Sequence, residues 1–182
     1  MRQERTAQWT LAEVHRLPDD GNRYELVHGE LFVTPAPSYA HQAIVDVLIT
    51  LLHRYVEAES LGRIQTPRSV IRVRGSETEP DLMVRPVPST IPDDWEAAPL
   101  PSLVVEVLSG STRRRDHEQK RELYLEIGVP EYWIVDGARR TIRVVRQGRD
   151  DVVVDGTLSW YPEGAREALA IDVSLLFRAA LG

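Results

Sequence analysis

The 182-residue sequence sets 28 acidic side chains against 22 basic ones, for a net charge of −6, and it has no cysteine. That length suits one domain over residues 1–182, burying roughly 70% of its unfolded surface. The missing thiols exclude disulfides, thiolate metal sites and a cysteine nucleophile, as fits a reducing cytoplasm. The acidic balance argues against strong nonspecific nucleic-acid binding, and the longest apolar stretch, IVDVLITLL, is too short to cross a membrane and is interrupted by Asp46.

In chain order, TLAE at 10–13 is a capping box for a short helix that Pro18 ends. RYELV, HG and ELFV then read as a hairpin turning at His28-Gly29, with Tyr24, Leu26, Leu31 and Val33 on one face and Glu25, Val27, Glu30 and Phe32 on the other. Ser38 caps a helix running to about Glu59, whose stripe is Ile44, Val45, Leu48, Leu51, Leu52 and Tyr55. RIQTPRSVIRVR and DLMVR look like strands around a loop GSETEP, and a proline-rich connection follows. LVVEVLS at 103–109 is a strand, and a helix from about Arg114 to Ile127 is closed by Gly128 and Pro130. EYWIVD and TIRVVR form strands joined at Asp136-Gly137, before a weaker DVVV and a terminal helix near SLLFRAAL. The pattern is mixed α/β: a central mixed sheet flanked by helices, with antiparallel hairpins at both ends.

One carboxylate resists this scheme. Glu106 sits in the middle of a strand of Leu and Val, where an ionised group needs compensation. Alternation puts Val104, Glu106 and Leu108 on one face, and Asp81 opens the strand DLMV. The chain has 21 arginines and a single lysine, Lys120. That lysine shares its helix face with Leu123, Tyr124 and Ile127, so it points toward the sheet. Two strand carboxylates and an ammonium are the groups that metal-dependent phosphodiester hydrolysis requires: hard oxygen ligands for Mg²⁺ or Mn²⁺, and a cation for the water or the developing charge.

EPD at 79–81, VVEVLS at 104–109, RRDHEQKRELY at 114–124 and GVPEYWIVD at 128–136 resemble the PD-(D/E)XK nuclease superfamily. Within it the chain resembles the restriction-endonuclease-like family designated domain of unknown function 820, a likeness that also takes in RYELVHGEL at 23–31 and PSYAHQ at 37–42. The resemblance implies a restriction-endonuclease-like fold and a Mg²⁺- or Mn²⁺-dependent DNA endonuclease that works as a homodimer. It makes Asp81 and Glu106 metal ligands and Lys120 the catalytic lysine, with Glu25 a third acid and His41 a cleft residue. Leu108 stands where the superfamily signature has lysine, and the family supplies its lysine from the next helix, which matches Lys120.

Each residue also has a structural reading. Glu106 and Lys120 form a buried ion pair, Asp81 opens a strand, Glu25 guards a sheet edge and His41 is a polar residue at a helix start. On those readings the chain is a noncatalytic nuclease-fold protein that binds nucleic acid or protein. His117 is expected to face solvent, Ser109 and Ser111 to cap a helix, and Tyr132 and Trp133 to pack in the core. Arg113–Arg115, with Arg139, Arg140 and Arg143, is either a solvated surface or a contact for the DNA backbone.

Overall fold

The computed structural model describes residues 8–108 and 114–182, with the backbone alone for 114–116. Thr10 and Glu13 close the capping box of α1, Leu11–Val14, which ends well before Pro18. Strands β1, Arg23–Val27, and β2, Glu30–Thr34, pair with Tyr24 opposite Val33 and Leu26 opposite Leu31. Their turn takes positive φ at His28 and Gly29, as a two-residue hairpin loop needs. Ser38 Oγ accepts the His41 N–H at 3.2 Å and starts α2, Tyr39–Ala58.

Strands β3, Arg63–Gln65, β4, Ile71–Val73, and β5, Ser76–Thr78, follow, then β6, Leu82–Arg85. The expected loop GSETEP is in part strand: Ser76, Glu77 and Thr78 are buried, and β5 lies between β1 and β4. Strand β7, Leu103–Val107, is buried along its whole length. Helix α3, Arg114–Ile127, carries the chain over to β8, Glu131–Asp136, which runs parallel to β7 as a helical crossover permits. Strands β9, Thr141–Arg146, and β10, Val152–Val154, complete the order β10-β9-β8-β7-β6-β3 of a six-stranded mixed sheet. A second sheet has the order β2-β1-β5-β4. A small hairpin of β11, Thr157–Trp160, and β12, Leu169–Asp172, leads into α4, Val173–Leu181; neither strand is expected from the sequence pattern.

The six-stranded sheet has two apolar faces, which is why its central strands read as near-continuous Val, Ile and Leu. On one, Val105, Val107 and Trp133 pack against Ile44, Leu48 and Leu52 of α2 and Phe177 of α4. On the other, Met83, Val104 and Tyr132 meet Leu123, Tyr124 and Ile127 of α3 and Val27 and Phe32 of the smaller sheet. Tyr132 and Trp133 are therefore core residues, on opposite faces. Glu106 belongs to the second face, in the angle between the two sheets and α3. Among the described residues no helix is long and apolar enough to cross a membrane.

Candidate active site

Register brings the acids together. Leu82 lies opposite Val105 across β6 and β7, so Asp81, one residue earlier, falls beside Glu106. The Val107 N–H donates to Asp81 Oδ2 at 2.9 Å and fixes that placement. From α3, Lys120 Nζ donates to Glu106 Oε1 at 2.7 Å and lies 2.8 Å from Glu25 Oε1, which also accepts the Glu79 N–H. His41, in the first turn of α2, sets Nε2 3.0 Å from Asp81 Oδ2. Asp81, Glu106, Glu25, Lys120 and His41 thus meet in one cluster drawn from both sheets and two helices, each buried to 6% exposure or less.

Three neighbours of the cluster are not among the site residues that the sequence suggests. Arg23 Nη1 donates to Asp81 Oδ1 at 3.0 Å and to the Glu79 carbonyl at 2.8 Å; its signal was its position two residues before Glu25 on one strand face. Tyr124, four residues after Lys120, donates to Thr78 Oγ1 at 3.1 Å. His117 is not solvent-facing as expected: it is buried, with Nδ1 3.1 Å from the Tyr132 hydroxyl. Its spacing of three from Lys120 already put it on the inner face of α3.

The electrostatics are uneven. Burial pushes Glu106 up, and Asp81 and Glu25 add to this against the pull of Lys120, so it titrates at about 7. Burial also pushes Asp81 up, but the hydrogen bond from His41 and the charge of Arg23 outweigh it and hold that carboxyl well below the usual range. Lys120 loses solvent, yet Glu106 and Glu25 keep it an ammonium. Four carboxylates, counting Glu79, face the two fixed cations Arg23 and Lys120. With Asp81 ionised, His41 Nε2 carries the shared proton, and Nδ1 is left buried without a partner. Among the described residues no three acids or histidines are preset around one metal position. Even so, adjacent hard-oxygen donors with surplus negative charge are chemically suited to a divalent cation.

The cluster opens on a cleft of about 350 Å³ lined by Arg23, His41, Asp81 and Arg68, among others. Arg143 sits in the row Glu106, Ile134, Arg143, two strands from Glu106 and so roughly 10 Å away, and it pairs with Glu118 at 3.3 Å. Arg139 is held by Asp136, and Arg140 donates to the Gly182 carbonyl. Ser109, Ser111 and the side chains of Arg113–Arg115 lie outside the described residues.

A mixed sheet whose neighbouring antiparallel strands each present an acid, with a lysine delivered by the crossover helix, defines a nuclease fold of the restriction-endonuclease-like class. The crystal structure of a putative nuclease belonging to DUF820 from Anabaena variabilis ATCC 29413 superposes with a TM-score of 0.80. It shares 22% identity over 94% of this chain and 99% of that one, a likeness of fold. No curated protein matches. The model of the family described as Uma2, putative restriction endonuclease, matches residues 11–174, and the chain belongs to that family.

Proposed function

We propose that the chain is a metal-dependent DNA endonuclease, acting as one domain over residues 1–182, with Mg²⁺ or Mn²⁺ held by Asp81 and Glu106. The observation that carries this reading is the convergence of Glu25, Asp81, Glu106 and the chain's single lysine from separate elements, with Asp81 on the wall of a cleft. Packing alone has no need of four charged side chains gathered in the dry angle between two sheets. When bound, the metal supplies Lewis-acid polarisation of the scissile phosphate.

The remaining roles belong to the side chains. Lys120 orients the attacking water or holds the charge that develops on phosphorus-bound oxygen, which requires its ammonium within about 3 Å. Glu25 keeps Lys120 charged and aimed. Arg23 and His41 are positioning residues that fix the Asp81 carboxylate. In this reading Arg68, on the cleft wall, and Arg143, on the sheet face of Glu106, meet the DNA backbone in exchange for their partners Asp19 and Glu118. A homodimer, in which each copy cuts one strand of a duplex, belongs to this reading, and light scattering checks it.

One observation favours the noncatalytic alternative. The Asp81 oxygens are engaged by Arg23, His41 and the Val107 N–H, and Lys120 already meets two carboxylates, so each of these two groups has partners without any metal. Supercoiled-plasmid nicking with Mn²⁺, alongside calorimetric Mn²⁺ titration, separates the two. The nuclease binds Mn²⁺ and nicks, and it loses both on Glu106→Ala. A protein that does neither at millimolar Mn²⁺ is the interaction module.

A further inference from the structure

At the other end of β6, about 13 Å from Asp81 by strand rise, Arg85 raises a separate question. Arg85 is 5% exposed, yet its guanidinium meets no carboxylate among the described residues. Nη1 donates to the Pro99 carbonyl at 2.7 Å, Nη2 to the Val70 carbonyl at 2.8 Å, and Trp95 stacks 5.6 Å away. Nε is buried with no partner. Buried arginines are as a rule neutralised by an acid, and burial here lowers the Arg85 pKa with no acid opposing it.

This arginine is part of the wall of a cavity of about 530 Å³, between edge strand β3 and the proline-rich connection. Arg63 lies directly across the β3–β6 pair from Arg85. Gln65, two residues on and on the same face, has a buried Oε1 that no donor meets. Apart from Asp93 and Asp94, the remaining wall is apolar: Trp95, prolines, Val87 and the largely exposed Ile91 among them. The one acid tied into the wall's own structure, Asp94, accepts the Glu96 and Ala97 N–H groups; Asp93 stands at the exposed rim.

We propose that this cavity binds a small organic acid with a flat apolar body. The carboxylate neutralises Arg85 beside Arg63, and the ring lies against Trp95 and the prolines. An apolar chamber of this volume with a few convergent polar groups has the character of a small-molecule site, and an unpaired guanidinium selects a carboxylate over a neutral ligand. The Asp93 rim disfavours a second negative charge. The site uses none of the residues of the acid cluster, so it stands or falls independently of nuclease activity.

The test is an amide NMR titration of the full chain with a hydroxynaphthoate, and in parallel with the matching naphthol that lacks the carboxylate. The acid shifts the Trp95 indole N–H and the amides of 63–65 and 85–99 saturably, with a Kd near or below about 1 mM for a ligand of this size. The naphthol binds at least about tenfold more weakly. Arg85→Met abolishes acid binding. Because that change also frees the Val70 and Pro99 carbonyls, Val87→Asp is the second variant: at an exposed rim position it weakens the acid at least about tenfold and leaves the naphthol unchanged. Equal binding of acid and naphthol, indifference to Val87→Asp, or no saturable shift at about 10 mM overturns the proposal.

Discussion

Asp81 and Glu106 stand side by side, yet their surroundings drive them apart. Asp81 accepts from Arg23, His41 and the Val107 N–H, whereas Glu106 is balanced chiefly by a lysine that Glu25 also claims. Asp81→Asn turns an amide donor toward one of three existing donors, and melts in EDTA should show it less stable by about 1–3 kcal/mol. Glu106→Gln removes surplus charge while Lys120 keeps Glu25, so its melting temperature at pH 8 should equal or exceed that of the wild type. A Glu106→Gln variant several kcal/mol below Asp81→Asn would mark the cluster as a structural ion network. Lys120→Arg probes the cation itself. Guanidinium pairs with two carboxylates at least as well as ammonium does, so the fold survives, but its wider fork displaces the water or phosphate oxygen. Plasmid nicking should fall roughly 100-fold, the scale of one lost transition-state contact; undiminished nicking refutes the role given to Lys120. These three residues were legible because alternation and helical spacing fix a facing direction. His117 had the same spacing signal, but its burial depends on Tyr132 from a strand that only the tertiary fold brings near.

Elements that carry a local turn, cap or apolar signal announced themselves, and those without one did not. The His28-Gly29 hairpin, α2, α3 and β7 each carry a turn, cap or apolar run extending over five residues or more. By contrast β5 is three polar residues, and it is a strand only because β1 and β4 flank it and the Thr78 hydroxyl meets Tyr124. Strands β11 and β12 pair across an eight-residue connection, a partnership that no local pattern records. The acid site was readable in its members and not in its wiring, since Arg23 and Glu79 join it through the meeting of two sheets. Where β3 begins, Gly62 adopts φ +130, and a Cβ there would lie 2.2 Å from the Arg85 carbonyl oxygen. Gly62→Ala should destabilise by on the order of 3 kcal/mol or more, combining backbone strain with a clash against a rigid strand. Gly148→Ala, at positive φ but in open space, should cost only about 1 kcal/mol. Urea unfolding of both variants checks the contrast, and equal losses would show that β3 gives way to the added methyl.

At the scale of the whole molecule, the raised Glu106 carboxyl ties stability to pH and to metal. Its value in the folded protein is about 7, against an ordinary 4.5, so the folded state holds a proton that the unfolded chain has released. The stability this confers is complete below about pH 4.5 and disappears as the pH rises through 7. Asp81 works in the opposite sense: held below its ordinary 3.8, it stabilises above that pH, and its contribution is lost only in stronger acid. In EDTA the melting temperature should therefore decline between pH 5.5 and 8, the range in which Glu106 becomes a buried charge without a full partner. A divalent cation competes with that same proton, since a carboxylate must be ionised to serve as a ligand. Mn²⁺ should therefore raise the melting temperature little at pH 5.5 and markedly at pH 8, flattening the decline seen in EDTA. Glu106→Gln, which cannot ionise, should show a shallower decline across that window than the wild type and gain little from Mn²⁺. Scanning calorimetry of both proteins, with and without the ion, reads all four curves. If Mn²⁺ stabilises wild type and variant alike, or equally at both pH values, the metal binds elsewhere and Glu106 is not its ligand.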